Sequence, residues 1–134
     1  GGVSPALRGD GKVFYYTDES EMKEATFNPK TISINQNMRA VPLPDLEKQE
    51  ENKLDDISSD INVKDFAEKT SEIGKEALNG KNCPAKDTLI YTGSLALSIM
   101  KNISFNDAAN QIKKSIDSGK AKEFFYNAIW SIII

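Results

Sequence analysis

Lys12-Val13-Phe14-Tyr15-Tyr16, then Thr17-Asp18-Glu19-Ser20-Glu21, then Met22-Lys23-Glu24-Ala25-Thr26-Phe27 is the stretch that separates this chain from an all-helical protein. After its lysine, the first run is wholly β-branched or aromatic, and such residues pack well on a pleated surface. The next five residues are polar and suit a turn. Met22 to Phe27 offers a second strand, which Asn28-Pro29 closes because proline has no N–H to give a ladder. The expectation is an antiparallel hairpin. Two strands alone are marginally stable, so the pair must lie on helices or join a larger sheet.

Working outward, Gly9-Asp10-Gly11 leads into the first strand. Residues 30–46 read as irregular, with prolines at 42 and 44 and apolar anchors at Ile32, Ile34, Met38, Val41 and Leu43. The hairpin and this segment form one region, 1–46. Residues 47–61 are strongly polar and acidic, with Leu54 and Ile57 the only large apolar side chains before Asp60. That composition suits a flexible surface connection, and a helix on a solvated face is the competing interpretation.

Residues 62–134 read as helical. Asn62 is placed to cap a helix carrying Phe66, Thr70, Ile73, Ala77 and Leu78 on one face, with Gly80 as its stop. Pro84 sits where a first helical turn tolerates it. The next helix groups Leu89, Ile90, Gly93, Ala96, Leu97 and Met100, its small residues permitting close packing. Ser104-Phe105-Asn106-Asp107 resembles a capping box with aspartate at the third position. It opens a helix that buries Ala108, Ala109, Ile112 and Ile116 and ends at Ser118-Gly119. A last helix carries Ala121, Phe124, Phe125, Ala128, Ile129, Ile132 and Ile133. That end is apolar nearly all round, which implies burial against a partner or against further protein. The sum is an α+β arrangement: a short hairpin, an irregular acidic connection and about four helices, together one domain or part of one.

Composition removes several chemistries. The 134 residues include no histidine and one cysteine, so Ser-His-Asp and Cys-His systems, histidine zinc sites and internal disulfides are excluded. The single cysteine fits a reducing, cytoplasmic setting. A net charge of −3 argues against a nucleic-acid domain. Residues 1–62 carry a net −5 and residues 63–134 a net +2, the latter spread over helix faces as solvation. No membrane span or signal peptide is expected. The start at Gly1-Gly2, without methionine, is taken as a sign of an excerpt from something longer.

The candidate reactive residues have plainer explanations. Gly9 and Gly11 precede a strand, whereas a phosphate cradle needs strand, glycines, then helix. Gly80 and Gly119 sit at helix ends. Glu50-Glu51 and Asp55-Asp56 lie in the polar connection with no rigid element to hold a geometry. Asp87 belongs to a first helical turn, where a carboxylate favours the dipole, and Asp117 beside Ser118 stabilises a terminus. Cys83 has no base to make it a thiolate. Trp130 and Phe124-Phe125-Tyr126 are expected to be packing aromatics, since a base-stacking platform wants basic neighbours.

Three segments add a resemblance. Leu78-Asn79-Gly80-Lys81, Lys86-Asp87-Thr88-Leu89-Ile90 with its alanine- and leucine-rich helix, and Ile116-Asp117-Ser118-Gly119-Lys120-Ala121 are similar to the C-terminal end of the anthranilate phosphoribosyltransferase family. Ala40-Val41-Pro42-Leu43-Pro44-Asp45-Leu46 is similar to that family's entry into its final helices. The resemblance implies a parent enzyme that moves phosphoribosyl from phosphoribosyl pyrophosphate to anthranilate in tryptophan biosynthesis. It also implies Mg²⁺, a homodimer, and a larger α/β domain of which this chain is the C-terminal piece. Such chemistry depends on positioning and charge stabilisation. The family's glycine-rich pyrophosphate loop and its substrate-contacting residues lie upstream. Aligned on Ser4, its acidic Mg²⁺-binding pair falls on Gly1-Gly2, which carry no carboxylate, and the role does not pass to Asp10. Thr92 stands where asparagine is common, and the acidic stretch 47–60 is longer than the family's link. No catalytic, substrate-binding or metal residue is therefore carried over, and this stretch is expected to be structural and inactive alone. The alternative is a non-catalytic relative acting as a binding or interaction module.

Overall fold

The computed structural model describes residues 6–16, 18–42 and 63–133. Gly1-Gly2, Ser4, the acidic connection and Asn62 lie outside them. Two strands, β1 (Gly11–Tyr16) and β2 (Met22–Phe27), pair antiparallel with Tyr16 opposite Met22 and Gly11 opposite Phe27. Four helices follow: α1 (Val63–Leu78), α2 (Pro84–Lys101), α3 (Phe105–Asp117) and α4 (Lys120–Ile133). The chain is thus an α+β arrangement.

In β1, Val13 and Tyr15 turn inward while Lys12, Phe14 and Tyr16 face out. Phe27 carries the hairpin into the core by stacking edge-on against Phe105 of α3, with ring centroids 4.9 Å apart. Tyr91 of α2 meets the same ring at 5.9 Å. Leu7, Ile32, Ile34, Ile90, Tyr91, Leu95, Ala109 and Ile116 form the buried cluster, so the segments before and after the hairpin share one core with α2 and α3.

The segment after β2 is less irregular than its prolines suggest. Pro29–Ile32 forms a 3₁₀ turn that Asn28 caps by accepting from the Lys30 N–H at 2.9 Å. Ile32 at its end and Ile34 beyond it are buried, and the Lys113 ammonium of α3 donates to the Ile32 carbonyl at 2.8 Å. Leu7, which no periodic pattern marks, is buried too, its N–H donating to the Arg39 carbonyl.

Helix ends follow local chemistry. At the end of α1, Gly80 takes φ +85° while the N–H groups of Gly80 and Lys81 return to the carbonyls of Ala77 and Glu76. This is the six-to-one and five-to-two pattern of a Schellman stop. Asn102 does the same for α2 in a left-handed conformation. Ser104 caps α3 by accepting from the Asp107 N–H at 3.0 Å, and its hydroxyl donates to the Asp107 carboxylate at 2.7 Å. The return arm of the capping box therefore runs through the hydroxyl, because aspartate is one methylene shorter than glutamate.

The buried face of α2 differs from the expected one. Ile90 is buried as expected, but Ala96 and Met100 are exposed and Leu89 is 39% exposed, whereas Tyr91, Ser94 and Leu95, outside the expected face, are buried. The helix packs on the hairpin side and on α3 at once, so its contact surface is centred on 90, 91, 94 and 95. Gly93 does lie on α3: a Cβ there would stand 3.2 Å from Ile112 Cδ1.

Candidate functional site

The three segments that carry the family resemblance meet at one polar node. Lys86 projects from the first turns of α2 and is only 8% exposed. Its ammonium donates to Asp117 Oδ1 at 2.8 Å, to the Gly80 carbonyl at 3.0 Å and to Asn82 Oδ1 at 3.4 Å. Gly80 ends α1 and Asp117 ends α3, so one cation serves two helix C-termini, where the dipole favours positive charge. All three of its donors have acceptors, which is what permits a lysine to be buried. Asp117 stays more than half exposed. This is a clasp with its hydrogen bonds satisfied. No orphaned group in it is poised to react.

The other candidate residues scatter. Asp87 stands in the first turn of α2 as expected, and its carboxylate also accepts from Gln36 Nε2 at 2.7 Å, tying the extended segment to the helix. Gly9 has φ +73° ahead of β1, Asp10 accepts from Asn28 Nδ2 at 2.7 Å, and Gly119 has φ +79° between α3 and α4. Cys83 is half-buried at the start of α2 and gives it no side-chain cap. Thr92 is exposed. Glu50, Glu51, Asp55 and Asp56 lie outside the described residues. Burial, then the negative charge of Asp10, pushes the Tyr91 hydroxyl above the ordinary phenol range. A hydrogen bond to Glu76 and the charge of that carboxylate push Lys81 above the ordinary lysine range. Among the described residues, no group of three or more histidine, cysteine or acidic side chains is arranged to hold a metal ion. None of their helices is long and apolar enough to cross a membrane.

The expectation of packed aromatics at the end of the chain fails for Phe124 and Trp130 and holds in part for Tyr126, which is half-buried. Phe124 is 77% and Trp130 62% exposed, although Phe125 and Tyr126 stack edge-on at 5.7 Å. Alongside runs an open apolar groove of about 530 Å³ between α1, α2 and α4, with Ile73, Leu78, Leu89 and Phe125 on its walls. Sequence reasoning missed both the clasp and the groove. The clue to the first was a lysine in the opening turn of a helix, where the dipole disfavours a cation unless an anion is brought to it. The groove has no such local signal, because it arises from the spacing of three helices.

No protein-family model, no curated protein and no solved structure matches the chain.

Proposed function

We propose that the chain is the C-terminal portion of an anthranilate phosphoribosyltransferase, in which it is a structural element and the reacting groups lie elsewhere in the polypeptide. The clasp at Lys86 carries this reading. Segments 78–81, 86–90 and 116–121 resemble the family separately, and the Lys86 ammonium bonds the first and last of them together. A motif whose polar members are consumed in holding helix ends together has a structural reason to exist without chemistry of its own. Phosphoribosyl transfer asks mainly for positioning and charge stabilisation, so a rigid helical wall is a useful contribution. The outward residues of the hairpin, Phe14, Tyr16 and Met22, give the remainder of such an enzyme an apolar face to cover. Mg²⁺, phosphoribosyl pyrophosphate and anthranilate would be held by the rest of a cytoplasmic, homodimeric parent.

The test is a fluorescence assay of the intact gene product with anthranilate, phosphoribosyl pyrophosphate and Mg²⁺. The reading expects anthranilate fluorescence to disappear with the intact product and to persist with residues 1–134 alone. No transfer by the intact product, or transfer by this stretch alone, contradicts it. A second reading, a non-catalytic relative used for binding, draws on the open groove. It expects the intact product to lack the glycine-rich pyrophosphate loop.

A further inference from the structure

We infer that the open groove between α1, α2 and α4 binds a fatty acid, an aliphatic chain ending in a carboxylate. The inference goes beyond the enzymatic reading and does not depend on it; it gives a ligand to the groove behind the second reading. The space is about 530 Å³. Small-molecule sites span roughly 300–1,000 Å³, so the groove has the size of one. An apolar cavity of about 150 Å³ takes a benzene ring, which leaves room here for a chain of roughly a dozen carbons. Leu89 and Phe125 on its walls are both partly exposed, and a hydrocarbon lying between them would cover them.

Gly74 shows that this space is kept open. It lies in the interior of α1 and on the wall of the groove. Glycine inside a helix is unfavourable relative to alanine, so the position calls for a reason. Packing within the chain supplies none, because a Cβ at Gly74 would have nothing within 4 Å and its φ lies outside the left-handed range. Gly93 of α2 is the contrast, since the Ile112 side chain fills the room beside it. The room at Gly93 is taken by the protein itself, whereas the room at Gly74 opens into the groove.

The polar groups of the walls fix the chemistry of the guest. Thr70 and Thr88 donate their hydroxyl protons one turn back along their own helices, to the carbonyls of Phe66 and Pro84 at 2.8 and 3.0 Å. Neither has a proton left to offer, which suits a hydrocarbon body. Ser71 and Lys75, one turn apart on α1, line both the groove and a neighbouring depression along that helix, which sets them at the lip between the two. Glu68 and Glu72 line only the depression. Among the described residues Lys75 is the one charged side chain on the groove walls. Lys69 and Lys81 pair with Asp65 and Glu76, whereas no described residue pairs with Lys75. An ammonium with a hydroxyl beside it complements a carboxylate and repels a cationic head.

Isothermal titration calorimetry of the 134-residue chain with dodecanoate, kept below its micelle concentration, tests the inference. The expected result is saturable binding of one molecule per chain. Dodecyltrimethylammonium has the same tail and the opposite charge, and it should bind more than about tenfold more weakly. Lys75→Glu, at an exposed position, should weaken dodecanoate by a similar factor. Gly74→Leu fills the groove from a position with room for a side chain, so it should abolish binding while the chain melts no lower than before. That melting temperature separates a blocked site from a lost fold. Trp130→Ala, which does not touch the groove walls, should leave binding unchanged. No saturable binding, equal binding of the two head groups, or binding that survives Gly74→Leu each overturns the inference. The last result would mark adsorption on the exposed Phe124 and Trp130. Dodecanoate binding by a protein whose parent transfers no phosphoribosyl keeps the ligand and removes the enzyme, and transfer without binding does the reverse.

Discussion

α3 and α4 are neighbours of nearly equal length, 13 and 14 residues, separated only by Ser118 and Gly119. The more polar of the two is the better buried. α3 carries Asn106, Asp107, Asn110, Gln111, Lys113 and Lys114, yet it seals Ala108, Ala109 and Ile116 inside the molecule. α4 has the more apolar sequence and still leaves Phe124, Trp130 and Ile132 in the open. Burial follows the match between a helix's apolar stripe and a partner surface. Apolar content by itself does not secure it. In α3 the stripe is narrow, both ends are tied, and α2 offers Gly93 as a seat for Ile112. In α4 apolar residues point in several directions, and the neighbouring elements cover only part of them.

The sharpest break of this contrast is a matched pair of truncations. Ile116→Ala removes a buried side chain and should cost about 2–5 kcal/mol of stability. Ile132→Ala, on the same kind of residue, should change the unfolding free energy of the isolated chain by no more than about 0.5 kcal/mol. Denaturant titration at low protein concentration reads both. Equal losses would mean that α4 is packed as firmly as α3.

Next in size is the clasp that anchors the end of α3. Lys86→Ala should cost about 1–3 kcal/mol, since the Gly80 carbonyl and Asn82 lose a donor and the packed stem is removed. The exposed carboxylate of Asp117 remains solvated, so Asp117→Asn should cost less. A Lys86 variant as stable as the parent in thermal melts would reduce the node to decoration. Ser104→Ala removes the cap of the same helix and should cost about 1 kcal/mol. Its signature is lost protection of the Asp107 amide in hydrogen exchange.

Smallest is the alkaline limit. The folded-state pKa of Tyr91 lies above its unfolded value, so the folded form holds that proton more tightly. Its contribution is complete below the unfolded phenol pKa of about 10 and is lost as pH rises through the folded value. The melting temperature should therefore fall above about pH 10, and Tyr91→Phe should flatten that fall. An unchanged alkaline slope in the variant would remove Tyr91 from the explanation.

Much of the fold was legible because its signals are local. Aromatic and β-branched residues around a polar five-residue turn specify the hairpin. Gly80, Ser104 and Gly119 mark helix ends through backbone chemistry that needs no distant partner. What stayed hidden depends on three-dimensional neighbours. Tyr91 and Ser94 do not count as apolar in a periodic pattern, yet they are buried because α2 faces two surfaces at once. Leu7 has no periodic company. The Pro29–Ile32 turn opens a segment whose prolines suggest irregular backbone, while Asn28 supplies its cap. Lys86 and Asp117 are 31 residues apart and each has an ordinary reading alone. Only packing shows that they are one feature.

Hydrogen exchange resolved by helix, measured on dilute protein, tests most directly the claim that α3 is held more firmly in the molecule than α4. Protection of α3 should be high, while protection of α4 should be low. If α4 is as protected as α3 in the most dilute sample, its apolar face is already satisfied within a single chain and the account fails.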